Sequence, residues 1–97
     1  MEKLSAEEIA RKTAELPRWH YEQNALNRSL RFREFMGAID FINRVAQLAE
    51  ALDHHPDLHL SYTRLTLVCS THSAGGVTDK DFALAREIDR LFEAVGG

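Results

Sequence analysis

The stretch Glu50-Ala51-Leu52-Asp53-His54-His55-Pro56 decides how this chain folds. Pro56 has no N–H and pushes His55 out of the α region, so a helix must end here and the chain must leave extended. Glu50 and His54 are four residues apart and share a helical face if the last turn persists. The two adjacent histidines then diverge as the backbone leaves the helix, and Asp53 adds a second carboxylate. Corners where helices end often carry sites. A solvated helix end accounts for this stretch alone equally well.

Upstream, Phe35 to Leu52 has helical period. Phe35, Ile39, Ile42, Ala46 and Ala49 form one seam, and Ala38, Phe41, Val45, Leu48 and Leu52 form another. Asp40, Asn43, Arg44, Gln47 and Glu50 fill the narrow polar face. A helix this widely apolar covers a sheet and has area left for a second subunit. One well-buried helix is the plainer account.

Downstream, Asp57 to Tyr62 alternates Leu58 and Leu60 with His59 and Ser61, which reads as a strand. Thr63-Arg64 is the expected turn. Leu65 to Thr71 forms the returning strand and ends at His72. Ser73-Ala74-Gly75-Gly76 reads as a loop. Thr78 then caps a last helix, with Asp81 in the capping-box position and Phe82, Ala85, Ile88, Phe92 and Val95 facing inward.

At the other end, Ser5 and Glu8 form a capping box for a first helix from about Ala6 to Leu16, stopped by Pro17. Trp19 and Tyr21 alternate with polar neighbours in a short strand. Gln23-Asn24 is a tight turn, and Leu26, Arg28, Leu30 and Phe32 lie on one face of the strand that returns. The order is α-β-β-α-β-β-α. It implies an α+β fold: a four-stranded antiparallel sheet with three helices packed on one face.

The 97 residues suffice for one domain spanning 1–97. A net charge of −3 without a Lys/Arg stripe argues against direct nucleic-acid binding. No apolar run approaches a membrane span, and the acidic N-terminus does not read as a signal peptide. The single Cys69 excludes an internal disulfide and reads as a small buried hydrophobe. The expected setting is cytoplasmic.

In an antiparallel hairpin the start of one strand lies beside the end of the other. The hairpin after Pro56 therefore brings His72 back to His54 and His55, near Glu50, Asp53 and Asp81. Imidazoles exchange protons near neutral pH, and a pair across a cleft suits elimination of water, where a leaving hydroxide gains a proton and a neighbouring N–H or C–H loses one. Nucleophilic catalysis lacks a motif: neither Ser70 nor Ser73 sits in a nucleophile elbow. Zinc is the competing chemistry. Adjacent histidines rarely chelate one ion, however, and Pro56 breaks the helix between His55 and His59, so no metal is expected.

Glu50, His54-His55-Pro56, Tyr62, Ser70-Thr71-His72, Gly75-Gly76-Val77-Thr78 and Asp81 stand together here with the Leu4-Ser5-Ala6-Glu7-Glu8 opening and the Trp19 strand. In these residues, over nearly its whole length, the chain resembles the pterin-4a-carbinolamine dehydratase family. The resemblance implies dehydration of a 4a-hydroxytetrahydropterin to the quinonoid dihydropterin, a step that recycles the cofactor of aromatic amino acid hydroxylases. By motif position it implies that His54 and His72 are the acid/base pair, with their individual roles open. His55 would position the substrate, and Glu50, Asp53, Ser70, Thr71 and Asp81 would orient the imidazoles or hold the pterin edge. It implies no bound cofactor, since the pterin is the substrate. It also implies a homodimer or homotetramer and a functional link to a hydroxylase.

Leu58, His59, Leu60 and Ala74 depart from the animal members of that family, which affects the pocket wall and not the acid/base residues. The alternative is a non-catalytic role, because some members act as dimerisation cofactors of a homeodomain transcription factor and some relatives as assembly chaperones. A scaffold would not need His54, His55 and His72 together. Against that, Asp53 and Asp81 also read as helix caps, and Ser70-Thr71 as ordinary strand-end residues.

Overall fold

The computed structural model describes residues 2–96. Its elements follow the order expected from sequence: α1 (Ala6–Thr13), β1 (His20–Glu22), β2 (Ala25–Arg31), α2 (Phe35–Leu52), β3 (Asp57–Ser61), β4 (Arg64–Cys69) and α3 (Asp79–Ala94). A one-turn 3₁₀ helix, His72–Ala74, lies between β4 and α3. The strands form one antiparallel sheet in the order β1-β2-β4-β3.

Register follows the alternation of apolar residues. Leu26 pairs with Cys69, Arg28 with Leu67 and Leu30 with Leu65, while Leu58 pairs with Leu67 and Leu60 with Leu65. These residues share one face, because strand side chains alternate. Against it pack Ile9 and Leu16 from the N-terminal segment, Phe41 and Val45 from α2, and Phe82, Leu84, Ala85 and Ile88 from α3. The opposite face carries Ser29, Arg31, His59 and Arg64, all exposed. The three helices therefore cover one side of the sheet.

Several boundaries differ from expectation for local reasons. α1 ends at Thr13, whose hydroxyl bonds the Ile9 carbonyl at 2.6 Å. The turn leading to Pro17 tightens to i→i+3 bonds, from Glu15 N–H to Lys12 O at 3.1 Å and from Leu16 N–H to Thr13 O at 2.9 Å. The β3–β4 turn is Tyr62-Thr63 rather than Thr63-Arg64, since Ser61 pairs with Arg64 and Tyr62 takes the left-handed conformation (φ 54°). β4 stops at Cys69. Thr71 instead forms an isolated antiparallel bridge with Gly76, and the segment between them folds back as the 3₁₀ turn, not an open loop.

α2 buries Ala38, Phe41, Val45 and Ala49. Of the seam that begins at Phe35, Ile39 and Ile42 are half-buried, and Phe35 and Ala46 are exposed. Phe41 joins Phe32 and Phe92 in a three-ring cluster with centroids 5.4–5.6 Å apart. Arg28, on the core face of β2, ion-pairs with Asp89 of α3 and lies 5.3 Å over the Phe92 ring. The Trp19 indole N–H donates to the same Asp89 carboxylate at 2.7 Å. The sequence alternation set Arg28 among apolar neighbours, but nothing local pointed to Asp89, which lies 61 residues away.

Candidate active site

The site begins with how α2 ends. Asp53 adopts the left-handed conformation (φ 51°, ψ 42°). The His54 N–H bonds the Ala49 carbonyl at 3.0 Å and the Asp53 N–H bonds the Glu50 carbonyl at 3.3 Å. This pair of bonds is a Schellman closure, which reverses the chain within two residues. Pro56 then keeps the exit extended into β3. The two histidines consequently part: the His54 side chain is 12% exposed and that of His55 is 56% exposed.

His54 turns inward onto the start of α3. Its Nε2 lies 2.6 Å from Oδ1 of Asp81 and 3.5 Å from Oγ1 of Thr71. Asp81 is fully buried. Its Oδ2 accepts from the Thr71 hydroxyl at 2.8 Å and from the Thr78 N–H at 2.9 Å. The second of these bonds belongs to the capping box of α3. One carboxylate therefore both caps a helix and holds an imidazole. Isolated burial of a carboxylate costs several kcal/mol, and here three donors offset it.

Proton counting orients the network. The single Thr71 proton goes to Asp81, so the Thr78 hydroxyl, 2.9 Å away, donates to Thr71. An ionised Asp81 only accepts, so a neutral His54 carries its proton on Nε2 and leaves a lone pair on Nδ1. Among the described residues, Nδ1 meets no hydrogen-bond partner, and the side chain as a whole is 12% exposed. That arrangement suits a proton acceptor held in one orientation.

His72 opens the 3₁₀ turn, directly after Thr71, and is exposed. The hairpin thus returns the 70–72 segment to the end of α2, as the antiparallel pairing of Asp57 with Val68 requires. Ser70 is half-buried beside Thr71. Glu50 and His55 form a second, exposed pair, with Oε2 2.5 Å from Nε2. Asp53 is exposed and serves the backbone turn. Of the residues expected at the site, the structure joins His54, Thr71 and Asp81 by hydrogen bonds. It keeps His72 adjacent in the chain, sets Glu50 with His55 in a separate exposed pair, and leaves Asp53 outside the network. Thr78, read from sequence only as a cap, belongs to the network, and its capping signal gave no hint of that.

Cys69 is buried, and burial pushes its thiol well up, so it is no nucleophile. Among the described residues, no group of three or more His, Cys, Asp or Glu is arranged to hold a metal ion. Nor is any helix among them long and apolar enough to cross a membrane.

The sequence model of the family described as pterin 4 alpha carbinolamine dehydratase matches residues 2–91. A protein of Chloroflexus aurantiacus is 48% identical over 94% of this chain and 98% of its own length. One of Sulfolobus acidocaldarius is 43% identical over 92% and 98%. Both carry the provisional name pterin-4-alpha-carbinolamine dehydratase. The crystal structure of a transcriptional coactivator/pterin dehydratase from Brucella melitensis superposes with a TM-score of 0.88 at 33% identity, covering 93% of this chain and 98% of that one. A pterin dehydratase-like protein identified as a RuBisCO assembly factor of the alpha-carboxysome shares the fold, with a TM-score of 0.61 at 20% identity over 76% of this chain and 86% of that one. A match in sequence and fold over nearly the whole chain makes it a member of the pterin-4-alpha-carbinolamine dehydratase family.

Proposed function

We propose that this protein dehydrates a 4a-hydroxytetrahydropterin to the quinonoid dihydropterin, with residues 1–97 working as one domain. The observation that carries this reading is the His54–Asp81 pair at 2.6 Å, with Nδ1 of His54 free of partners among the described residues and His72 exposed beside Thr71. In the reaction the C4a–O bond breaks and the N5–H proton leaves. A C4a=N5 double bond forms, and the hydroxyl departs as water. His54, locked by Asp81, takes the N5 proton through Nδ1. His72, as imidazolium, protonates the departing hydroxyl. The proton gained by one ring and lost by the other re-equilibrate through solvent.

His55, held by Glu50, positions the pterin through its exposed ring. Asp53 and Ser70 border the ring edge, and Thr71 and Asp81 act through His54. The pterin is the substrate, and no further cofactor takes part. The place of such an activity is cytoplasmic pterin recycling beside an aromatic amino acid hydroxylase, in a homodimer or homotetramer without direct nucleic-acid or membrane binding.

The test is the decay of 4a-hydroxytetrahydropterin followed by ultraviolet absorbance. Acceleration by the wild type, falling about 10²–10⁴-fold in both His54→Ala and His72→Ala, is the expected result. A wild type no faster than the uncatalysed reaction overturns it. That result would favour a second reading, a non-catalytic scaffold or dimerisation cofactor. Its support is that one structural neighbour is described as a transcriptional coactivator and another as an assembly factor, together with the exposed, stacked rings of Phe35 and Tyr62.

A further inference from the structure

The 3₁₀ turn that carries His72 is held from outside by the N-terminal hairpin. Gln23 and Asn24 form the two-residue β1–β2 turn, both with positive φ (51° and 64°). This turn matches the twist of the flanking strands, and asparagine tolerates it well. From there the Asn24 Nδ2 donates to the Gly75 carbonyl at 2.6 Å, across 51 residues of sequence. The Tyr21 hydroxyl donates to Asn24 Oδ1 at 3.0 Å. That bond fixes the amide's orientation, since the Gly75 carbonyl can only accept.

A second, steric observation agrees. A Cβ on Gly76 would lie 3.0 Å from Asn24 Oδ1, 3.2 Å from Lys3 Cδ and 3.4 Å from Asn24 Nδ2. Asn24 therefore lies flat on the Gly75-Gly76 backbone. That backbone closes the His72 turn, through Gly75 N–H to His72 O at 3.1 Å and Gly76 N–H to Thr71 O at 3.3 Å. His72 itself is exposed and, among the described residues, meets no side-chain partner, so its placement depends on its backbone.

We propose that Asn24 is a positioning residue: it tethers the Gly75-Gly76 backbone and so fixes where the His72 imidazole sits, with Tyr21 orienting the Asn24 amide. The effect on turnover rests on the dehydratase reading above, whereas the tether does not. Asn24→Gly removes the amide while keeping a residue that accepts positive φ. Two measurements test it. Amide hydrogen exchange should quicken about threefold or more at Gly75 and Gly76 and stay unchanged at the Leu26 and Leu67 amides of the sheet. Turnover should fall about 3- to 10-fold with KM unchanged, and that fall should vanish in a His72→Ala background.

Unchanged exchange at Gly75 and Gly76 overturns the tether. A turnover loss that persists in full without His72 overturns the positioning role, because Asn24 would then act elsewhere. If the wild type has no dehydratase activity, the proposed function falls, and exchange alone decides the tether.

Discussion

At the scale of single residues, Asp81 has the most to explain. Its Oδ2 needs the Thr78 N–H and the Thr71 hydroxyl, while Oδ1 faces His54. Asp81→Asn would keep its amide oxygen on those two donors and turn its NH₂ to His54. Nε2 must then accept, the ring proton moves to Nδ1, and the lone pair on Nδ1 disappears. Turnover is expected to fall about 10²-fold or more, because the variant loses a base without losing a side chain. The α3 cap survives, so urea unfolding should change by no more than ~1–2 kcal/mol. A fully active Asp81→Asn would remove His54 from the base role.

At the scale of elements, two local arrangements make separable predictions. The capping box of α1 pairs Ser5 with Glu8, and the backbone and hydroxyl bonds from Ser5 hold the Glu8 carboxyl below its usual value of 4.5. A lowered folded value means the contribution is present above the unfolded value and lost as pH falls through the folded one. Thermal unfolding of Glu8→Gln should therefore lie below wild type at neutral pH, with the gap closing below about pH 4.5. A gap that widened on acidification would contradict the cap.

The second arrangement joins three elements: Asp89 of α3 accepts from Trp19 ahead of β1 and pairs with Arg28 of β2. Asp89→Ala would strand a nearly buried guanidinium and an indole N–H. Urea unfolding is expected to show a loss on the order of 3 kcal/mol, larger than an exposed pair could give. A loss under about 1 kcal/mol would mean that water replaces the carboxylate.

At the scale of the whole molecule, the sheet buries one face and α2 buries Ala38, Phe41, Val45 and Ala49. Phe35, Met36 and Leu52 stay exposed along α2, and Tyr62, 72% exposed, stacks on Phe35 at 6.5 Å between centroids. Exposed apolar area of this kind is the usual mark of an interface. Sedimentation equilibrium is expected to give two or four times the 11.0 kDa chain mass. Replacing both Phe35 and Tyr62 by serine should shift it toward one chain. A wild type sedimenting as a single chain would end the homo-oligomer proposal.

What the sequence determined by itself is local in origin. Period-2 and period-3.6 patterning named every strand and α-helix, the capping boxes at Ser5 and Thr78 marked two helix starts, and Pro56 marked where α2 must end. The antiparallel logic of a hairpin was enough to bring the 70–72 segment toward His54, because chain reversal is a local event with a distant result. Element ends were less legible at Thr13, at Tyr62-Thr63 and beyond Cys69. There, hydrogen bonds among neighbouring turns, rather than hydrophobic pattern, choose the boundary.

Only the tertiary structure decided which histidine faces inward. The inward turn of His54 depends on a buried carboxylate 27 residues away. It decided too that Thr78 joins the network, that Asp89 answers Arg28, and that Asn24 lies against Gly75. The His54–Asp81, Arg28–Asp89 and Asn24–Gly75 contacts are directional polar contacts between residues far apart in the chain, and the Thr71–Thr78 bond spans the 3₁₀ turn between them. Apolar burial leaves a periodic trace in sequence, whereas a single hydrogen bond leaves none.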